Sequence, residues 1–411
     1  GAGVVDADGV VASRKVGSEV GQQASGDADR GGVAVEGAGE GAQRIPRIPR
    51  ARRAGAGVLV VRLADIDRLG MSCAIPGFIF PCIKDATLID PCCGSGGFFL
   101  AAQEYMTQPG RYTLDRDAKE FLKNSTFYGN ELVATTFKMA LMNLYLHNIG
   151  DIYGTVPVTQ GDALLMDPGY RVDYVLTNPP FGKKSSITMT NEEGEEEEED
   201  LVYNRQDFWT TSSNKQLNFI QHINTILNAT GKAAVVVPDN VLFEGGAGET
   251  IRKKLLETTD LHTILRLPTG IFYKPGVKAN VLFFDKRPAS PQMQTKEIWV
   301  YDFRTNIHFT LKQHPMTDAD LEDFVRCYHP ENRHERTETW SPDNPDGRFR
   351  RFPVEEILQR DKTSLDIFWM KDKSLADLDH LPDPDVLAGD IIESLQSALE
   401  SFRELEAQLK K

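Results

Sequence analysis

The sequence places an unusual tetrapeptide directly after an apolar strand. Residues 172–177 read VDYVLT, and Asn178, Pro179, Pro180 and Phe181 follow. Prolines cannot donate to a strand ladder, so these two end the strand and stiffen its backbone. An amide oxygen and a neighbouring main-chain carbonyl, held rigidly, can accept both hydrogens of an exocyclic amine and free its lone pair for attack. A base inside a duplex must be flipped out to reach such a site, where the phenylalanine ring can stack on it.

A glycine-rich turn and three acidic residues follow the ends of other predicted strands. Residues 88–100 read LIDPCCGSGGFFL, and their glycines let a ligand approach the backbone without a Cβ in the way. Asp90 precedes this turn, Glu131 follows the second strand, and Asp162 follows the third. Glu131 can accept hydrogen bonds from both ribose hydroxyls, and Asp162 can accept one from the amine of an adenine. Ligands of open α/β sheets bind at the carboxyl ends of the strands, so we expect one shared site.

Each of these signals has a plainer interpretation when it is taken alone. A glycine-rich turn is typical of any tight strand–helix connection, and a single acidic residue is usually a surface residue. A nicotinamide-dependent enzyme would share the turn and the ribose acid, but it would not explain Asn-Pro-Pro-Phe. The sequence has no phosphate-cradling GxxxxGK[ST] motif, so nucleotide hydrolysis is not indicated.

Composition excludes several classes of protein. The 411 residues carry a net charge of −14, which argues against wrapping nucleic acid by bulk charge alone. No apolar run reaches the roughly 18 residues that span a bilayer, and no signal peptide is recognisable. The five cysteines form no CxxC pair and no metal-ligand spacing with histidine, which favours a reducing, cytoplasmic location without a metal. We interpret Cys92 as a packing residue, and His222 and His262 as structural.

Apolar strands alternate with amphipathic helices from residue 85 onward, which predicts a parallel sheet covered on both faces. The final strand follows its predecessor without room for a crossover helix, so we expect it to pair antiparallel. The predicted strands are residues 86–90, 125–129, 156–160, 172–177, 232–238, 261–268 and 279–285. Four helices are predicted. The first begins near residue 97, and the others cover residues 131–150, 216–230 and 249–259. The helix at residues 216–230 is expected to end at the glycine that follows it.

The chain divides into four predicted regions. Residues 1–84 are atypical, and residues 1–57 lack Leu, Met and aromatic side chains, which predicts disorder and suggests a mis-set reading frame or start site. Residues 85–310 form the predicted catalytic domain, with an acidic loop insertion at residues 191–200. An irregular extension, which includes a polar loop at residues 329–350, covers residues 311–385. Residues 386–411 carry a heptad seam that packs on its own domain or docks a partner helix.

The motif order DPxxGxGGF, GNE, GDxL and NPPF resembles the N6-adenine DNA methyltransferases. The stretches VVVPDNVLFEGGAGETIRKKLLE, LRLPTGIFYKPGVKANVLFFDKR and LDIFWMKD, within residues 235–372, are similar to the modification (M) subunits of type I restriction–modification systems. The resemblance covers residues 85–411. It implies that S-adenosylmethionine is bound by Asp90, Gly94, Ser95, Gly96, Gly97, Glu131 and Asp162. It implies that Asn178, Pro179, Pro180 and Phe181 hold the target adenine.

The resemblance also implies a fold and a set of partners. The expected fold is α/β: a Rossmann-like S-adenosylmethionine-dependent methyltransferase fold with a mixed seven-stranded sheet, helices on both faces and a C-terminal helical tail. The expected partners are DNA, a specificity (S) subunit that docks on the tail, a second M subunit and a restriction (R) subunit. The family's helical N-terminal domain and its Tyr/Phe-Thr-Pro-Arg motif have no match here, and this departure is the basis of the hypothesis of a weak or inactive chain.

Three hypotheses follow from the sequence. The first is a site-specific DNA adenine N6-methyltransferase subunit. The second is a truncated remnant, weak or inactive, that only takes part in assembly. The third is methylation of another planar amine, such as cytosine N4, guanine N2 in RNA or a glutamine amide in protein. Phe at the fourth position of NPPF and the long downstream similarity favour adenine.

Overall fold

A computed structural model describes residues 86–110, 112–181, 203–272, 277–309 and 315–372, and it gives the backbone alone for residues 186–190 and 196–200. The predictions made for residues 1–84 and for the heptad tail at 386–411 lie outside the described residues.

Nine strands form one mixed sheet in the described part of the chain, in the order β11-β10-β8-β9-β7-β4-β1-β2-β3. The strands are β1 (Leu88–Asp90), β2 (Phe127–Glu131), β3 (Val158–Gln160), β4 (Val172–Thr177), β7 (Leu227–Pro238), β8 (Thr259–Arg266), β9 (Ala279–Lys286), β10 (Glu297–Asp302) and β11 (Phe349–Pro353). β9 runs antiparallel to both β7 and β8, as predicted, and β11 runs antiparallel to β10. All other neighbours pair in parallel.

The predicted count of seven strands was wrong, although the predicted fold class is confirmed. The seven predicted strands form the block β3-β2-β1-β4-β7-β9-β8, and β10 and β11 extend it beyond β8. β10 pairs in parallel with β8, and its buried residues continue both cores. β11 escaped prediction because Arg350 and Arg351 interrupt its apolar pattern, whereas Phe349 and Phe352 are buried on opposite faces of the sheet. The sheet therefore reaches into residues 311–385, where an irregular extension was expected.

Helices cover both faces of the sheet, as predicted. One face carries α1 (Gly97–Thr107), α2 (Arg116–Asn124), α3 (Ala134–Leu146) and α7 (Glu322–Tyr328). The opposite face carries α4 (Lys215–Ile226), α5 (Asp239–Phe243), α6 (Ala247–Thr258) and α8 (Val354–Gln359). Alternate side chains of a strand point to opposite faces of the sheet and so belong to different cores. In β4, for example, Leu176 packs in the core of the first face and Val175 in the core of the second.

Two local predictions differ from the structure. The acidic loop expected at residues 191–200 includes strand β6 (Glu196–Asp200), which pairs antiparallel with β5 (Ser186–Thr190). The partner sequence SITMT is rich in β-branched residues, which favour extended backbone and supply a pairing edge. Helix α4 ends at Ile226, so Gly231 lies inside β7 rather than closing the helix. A Cβ at Gly231 would lie 2.9 Å from the Leu227 side chain, which explains the glycine by close packing.

Across the described residues, the structure has no helix with the length and apolar character needed to cross a membrane.

Candidate functional site

A cleft of about 300 Å³ opens beside the carboxyl ends of the central parallel strands. Glu131 at the end of β2, Asp162 after β3, and Asn178 and Pro180 after β4 all contribute to its wall. Its volume lies at the lower end of the range for small-molecule sites. The structure therefore brings together acidic and amide groups that are separated by up to 47 positions in the sequence, as the strand-end rule predicts.

A hydrogen-bonded group of three side chains joins the end of β1 to the end of β4. The Thr177 hydroxyl donates to Asp90 Oδ1 over 2.6 Å, and the Cys92 backbone N–H donates to the same oxygen over 3.1 Å. Cys92 Sγ lies 3.0 Å from Thr177 Oγ1, and because the threonine proton is used on Asp90, the thiol is the donor. Asp90 and Thr177 are both buried. Asp90 thus holds the backbone of the glycine-rich turn against the residue that precedes Asn178.

Cys92 packs against a small apolar cluster and also lies in the wall of the cleft. Burial raises the pKa of the Cys92 thiol well above its ordinary value, and the neighbouring Asp90 carboxylate acts in the same direction. The thiol is therefore protonated at neutral pH and is not the thiolate that a covalent mechanism requires. Its position suits hydrogen bonding to Thr177 rather than nucleophilic attack.

At two positions of the glycine-rich turn, the backbone has a conformation that only glycine adopts without strain. Gly94 and Gly96 have φ of 55° and 84°, in the left-handed region. A Cβ on Gly96 would also lie 3.1 Å from Leu144, so the turn packs closely on α3. Asn143 of the same helix donates its amide to the main-chain carbonyl of Ser95 over 2.9 Å. The turn is therefore fixed both by its glycines and by α3.

The two acidic residues of the cleft are oriented by backbone amides. Glu131 Oε2 accepts the Gly94 N–H over 3.0 Å, and Oε1 accepts the Val133 N–H over 2.8 Å. Asp162 Oδ1 accepts the Leu164 N–H over 2.9 Å. Each carboxylate oxygen has a second lone pair, so both acids retain acceptor capacity toward the cleft.

The amide of Asn178 supplies an acceptor without a protein partner. Its Oδ1 is buried and makes no hydrogen bond. A buried acceptor left unpaired costs about 1–3 kcal/mol, so such a group in a cleft wall marks a place where a ligand donor is expected. The loop behind it is held, because Gln216 of α4 donates to the Pro180 carbonyl over 2.7 Å. Asn214 caps that helix by accepting from the Gln216 and Leu217 N–H groups.

The predicted site residues do not all reach the cleft. Asp90, Gly94, Ser95, Gly96 and Gly97 do not contribute to the cleft wall, and Ser95 Oγ is buried without a partner. Pro179 is buried. Phe181 is 37% exposed and does not contribute to the cleft wall; its ring packs edge-on against Phe272, with centroids 5.4 Å apart.

Several wall residues were not among the predicted site residues, including Tyr203, Lys215 and Phe219. Phe219 lies within the helix predicted at residues 216–230, where an apolar residue gives no sign of a binding site, and Tyr203 lies in an irregular segment with no periodic signal. Lys215 is the first residue of α4, and the Asn214 cap beside it is the sequence feature that fixes its position. Among the described residues, no cluster of His, Cys, Asp and Glu is arranged to hold a metal ion.

A buried ionic network supports the turn that carries Asp162. Arg205 donates to the Leu164 carbonyl over 3.2 Å and pairs with Asp207 over 2.6 Å. Its Nη1 also lies 3.0 Å from His222 Nδ1, so the ring nitrogen accepts and the imidazole is neutral. Burial lowers the pKa of His222 to about 3, and the Arg205 guanidinium acts in the same direction. The structural role predicted for His222 fits these contacts.

Acidification is expected to destabilise the protein through His222. The unfolded chain binds a proton near pH 6.5 and the folded chain only near pH 3, so stability is complete above pH 6.5 and falls as the pH drops below it. Between pH 7.5 and pH 5.0, protonation of His222 in the unfolded chain lowers the free energy of unfolding by about 2 kcal/mol. Urea unfolding at pH 7.5, 6.0 and 5.0 measures it. His222→Gln, whose amide oxygen can still accept from Arg205, should show a flatter pH dependence; an unchanged slope would contradict this assignment.

Comparison with known proteins gives one family and several relatives. The model of the family described as N-6 DNA Methylase matches residues 79–350. The chain is 40% identical over 350 residues to the type I restriction enzyme EcoKI methylase subunit of Escherichia coli K12, covering 78% of this chain and 63% of that protein. It is also 40% identical over 340 residues to the StySPI methylase subunit of Salmonella potsdam, covering 75% of this chain and 61% of the relative.

A solved structure shares the fold. The crystal structure of the type I restriction enzyme EcoKI M protein superposes with a TM-score of 0.59 and 36% sequence identity, covering 86% of this chain and 72% of that one. The chain spans less than two thirds of the length of the EcoKI and StySPI methylase subunits.

Proposed function

Since this chain belongs to the N-6 DNA methylase family, we propose that it transfers a methyl group from S-adenosylmethionine to the exocyclic N6 amine of a flipped-out adenine in DNA. One observation carries the proposal: Asn178, whose Oδ1 has no hydrogen-bond partner, lies in the wall of the same cleft as Glu131 and Asp162. An acceptor for the target amine and acceptors for a nucleoside cofactor thus lie side by side.

The residues present fit the cofactor chemically. S-adenosylmethionine supplies an electrophilic methyl group on a sulfonium. Glu131, with a free lone pair on each oxygen, suits the two ribose hydroxyls. Asp162 suits the amine of the cofactor's adenine. The glycine-rich turn lets the backbone come close beside Asp90, and Ser95 Oγ, buried and unpaired, is a further candidate contact.

The target amine is activated by acceptors that are fixed before it arrives. Asn178 Oδ1 takes one hydrogen, and the main-chain carbonyl of Pro179 is the second acceptor in our proposal. These acceptors pull the nitrogen toward a tetrahedral geometry and expose its lone pair to the methyl group. Thr177 and Gln216 hold the two sides of the loop, so little reorganisation is needed. Stacking of Phe181 on the base remains a prediction, because in this structure its ring packs on Phe272.

Partners are proposed on the same basis as the activity. The relatives are described as methylase subunits of type I restriction enzymes, and we propose that this chain likewise joins a specificity subunit that reads DNA, with a second M subunit and a restriction subunit as further members. The acidic net charge of −14 fits a chain that delegates sequence reading to another subunit. The cytoplasmic location stays a prediction.

A methyl-transfer assay on the native complex tests the function. The chain is captured with its partners from the source cell and incubated with labelled S-adenosylmethionine and either genomic DNA or duplexes in which one strand holds a single type of modifiable base. We expect label on adenine N6 only. Label on cytosine N4 would show that cytosine, and not adenine, is the methylated base. Cofactor binding by calorimetry without transfer to any DNA, or the absence of both, would favour an inactive assembly subunit.

A further inference from the structure

The Asp162 carboxylate is held at both of its oxygens. Oδ1 accepts the Leu164 N–H over 2.9 Å, and Oδ2 accepts the Tyr203 hydroxyl over 2.6 Å. Two anchors on the two oxygens fix the rotation of the carboxylate about its Cβ–Cγ bond. A carboxylate offers about four lone-pair sites, so Asp162, which contributes to the cleft wall, can accept further hydrogen bonds.

Tyr203 is itself immobilised. Its side chain is 6% exposed and packs with Leu164 and Phe219 in a small apolar cluster at the cleft. Two residues further on, Arg205 donates to the carbonyl of Leu164, the same residue whose N–H binds Asp162. The segment that carries Tyr203 and Arg205 therefore contacts the turn at residues 162–164 through two hydrogen bonds and apolar packing. These contacts fix the Tyr203 hydroxyl before a ligand binds.

A fixed carboxylate selects more sharply than a mobile one. An ionised carboxylate only accepts hydrogen bonds, so it binds the 6-amino group of adenine and repels the 6-oxo group of hypoxanthine. Hypoxanthine carries its donor on N1 instead, and a carboxylate that is free to rotate can turn to reach it. We propose that Tyr203 is a positioning residue that locks Asp162 onto the 6-amino group of the cofactor's purine and so sets selectivity for an adenosyl over an inosyl cofactor. This inference rests on the proposed function.

Binding of two cofactor analogues to the full chain tests the inference. Dissociation constants are measured by calorimetry for S-adenosylhomocysteine and S-inosylhomocysteine, with the wild type and with Tyr203→Phe. The wild type should prefer the adenosyl compound by roughly 10-fold or more. Tyr203→Phe should weaken the adenosyl compound roughly 3- to 10-fold and leave the inosyl compound unchanged or tighter, so the preference falls by at least about 3-fold.

Tyr301→Phe is the matched control. The Tyr301 hydroxyl also donates to a carboxylate, Asp323 Oδ2, over 2.6 Å, but Tyr301 lies in the core of the face that carries α7, and neither residue contributes to the cleft wall. Its removal should leave the preference unchanged, and thermal unfolding checks that both variants are folded. If Tyr203→Phe weakens both compounds equally or leaves the preference intact or higher, the positioning role is wrong. If the wild type binds neither compound, the proposed function itself fails.

Discussion

Asn178→Ala is expected to reduce the rate constant of methyl transfer by roughly 10²–10³-fold, the effect of removing one fixed polar group that acts on a reacting centre. The affinity for S-adenosylmethionine should stay within about twofold, because Glu131 and Asp162, not Asn178, face the nucleoside part of the cofactor in our proposal. Single-turnover transfer with the native complex and calorimetry with the cofactor measure the two quantities separately.

The stability of Asn178→Ala distinguishes a catalytic role from a structural one. Asn178 Oδ1 is buried and unpaired in the free protein, so its removal takes away an unfavourable group. The free energy of unfolding should therefore stay level or rise by about 1 kcal/mol. An amide that served only the fold would be hydrogen-bonded, and its loss would destabilise the protein.

Asn178→Asp is the matched variant, since it keeps an acceptor oxygen at the same distance from the backbone. We expect it to retain more activity than Asn178→Ala, by at least about tenfold. Equal activity of the alanine variant and the wild type would end the case for this amide as an acceptor for the target amine.

The groups that lie at strand ends were predictable because chain order and topology place them. The carboxyl ends of parallel strands meet at the same edge of a sheet, so the positions of Glu131, Asp162 and Asn178 at strand ends predict that they lie close together, and the structure places all three in one cleft. Their proposed roles toward cofactor and base rest on this proximity and on the acceptor capacity of the three side chains.

The groups that orient this site were not predictable, because they depend on tertiary contacts. Tyr203 lies in an irregular segment, and nothing local in the sequence indicates that its hydroxyl meets Asp162, 41 positions away. Gln216 looks like a polar residue on an amphipathic helix, yet it is 2% exposed and holds the Pro180 carbonyl. Binary patterning assigns such residues to the surface, and only the packed structure shows that their polar atoms are used inside.

Arg252 shows the same limit in a residue that determines stability. It lies in the run IRKK of α6, which has the pattern of a solvated helix face, yet its side chain is 1% exposed. The guanidinium donates to three main-chain carbonyls: Val241 over 3.0 Å, Thr363 over 3.1 Å and Lys362 over 2.6 Å. Burial lowers the pKa of Arg252 to about 10, so it remains charged at neutral pH. The buried charge is thus satisfied by backbone dipoles.

Two of the three carbonyls that meet Arg252, those of Lys362 and Thr363, belong to a strained turn. Lys362 and Thr363 have φ of 52° and 49°, in the left-handed region that costs non-glycine residues of order 1–3 kcal/mol. The hydrogen bonds to the guanidinium offset that cost and join α6 to the chain after α8. Without Arg252 the turn would relax, and three main-chain acceptors, two of them in buried hydrogen bonds, would lose their donor.

Arg252→Met, which keeps a long side chain but no donor, is therefore expected to lower the free energy of unfolding by about 3–5 kcal/mol. Urea unfolding followed by circular dichroism measures the loss, and limited proteolysis near residues 360–364 should become faster. Arg252→Lys retains the charge but reaches fewer carbonyls, so it should lose less. The control is the neighbouring Lys253, whose amine donates to Glu249 at the surface. Lys253→Met should change the free energy of unfolding by no more than about 0.5 kcal/mol. A loss at Arg252 as small as that at Lys253 would mean that these carbonyls find other donors, and the turn would then not depend on the arginine.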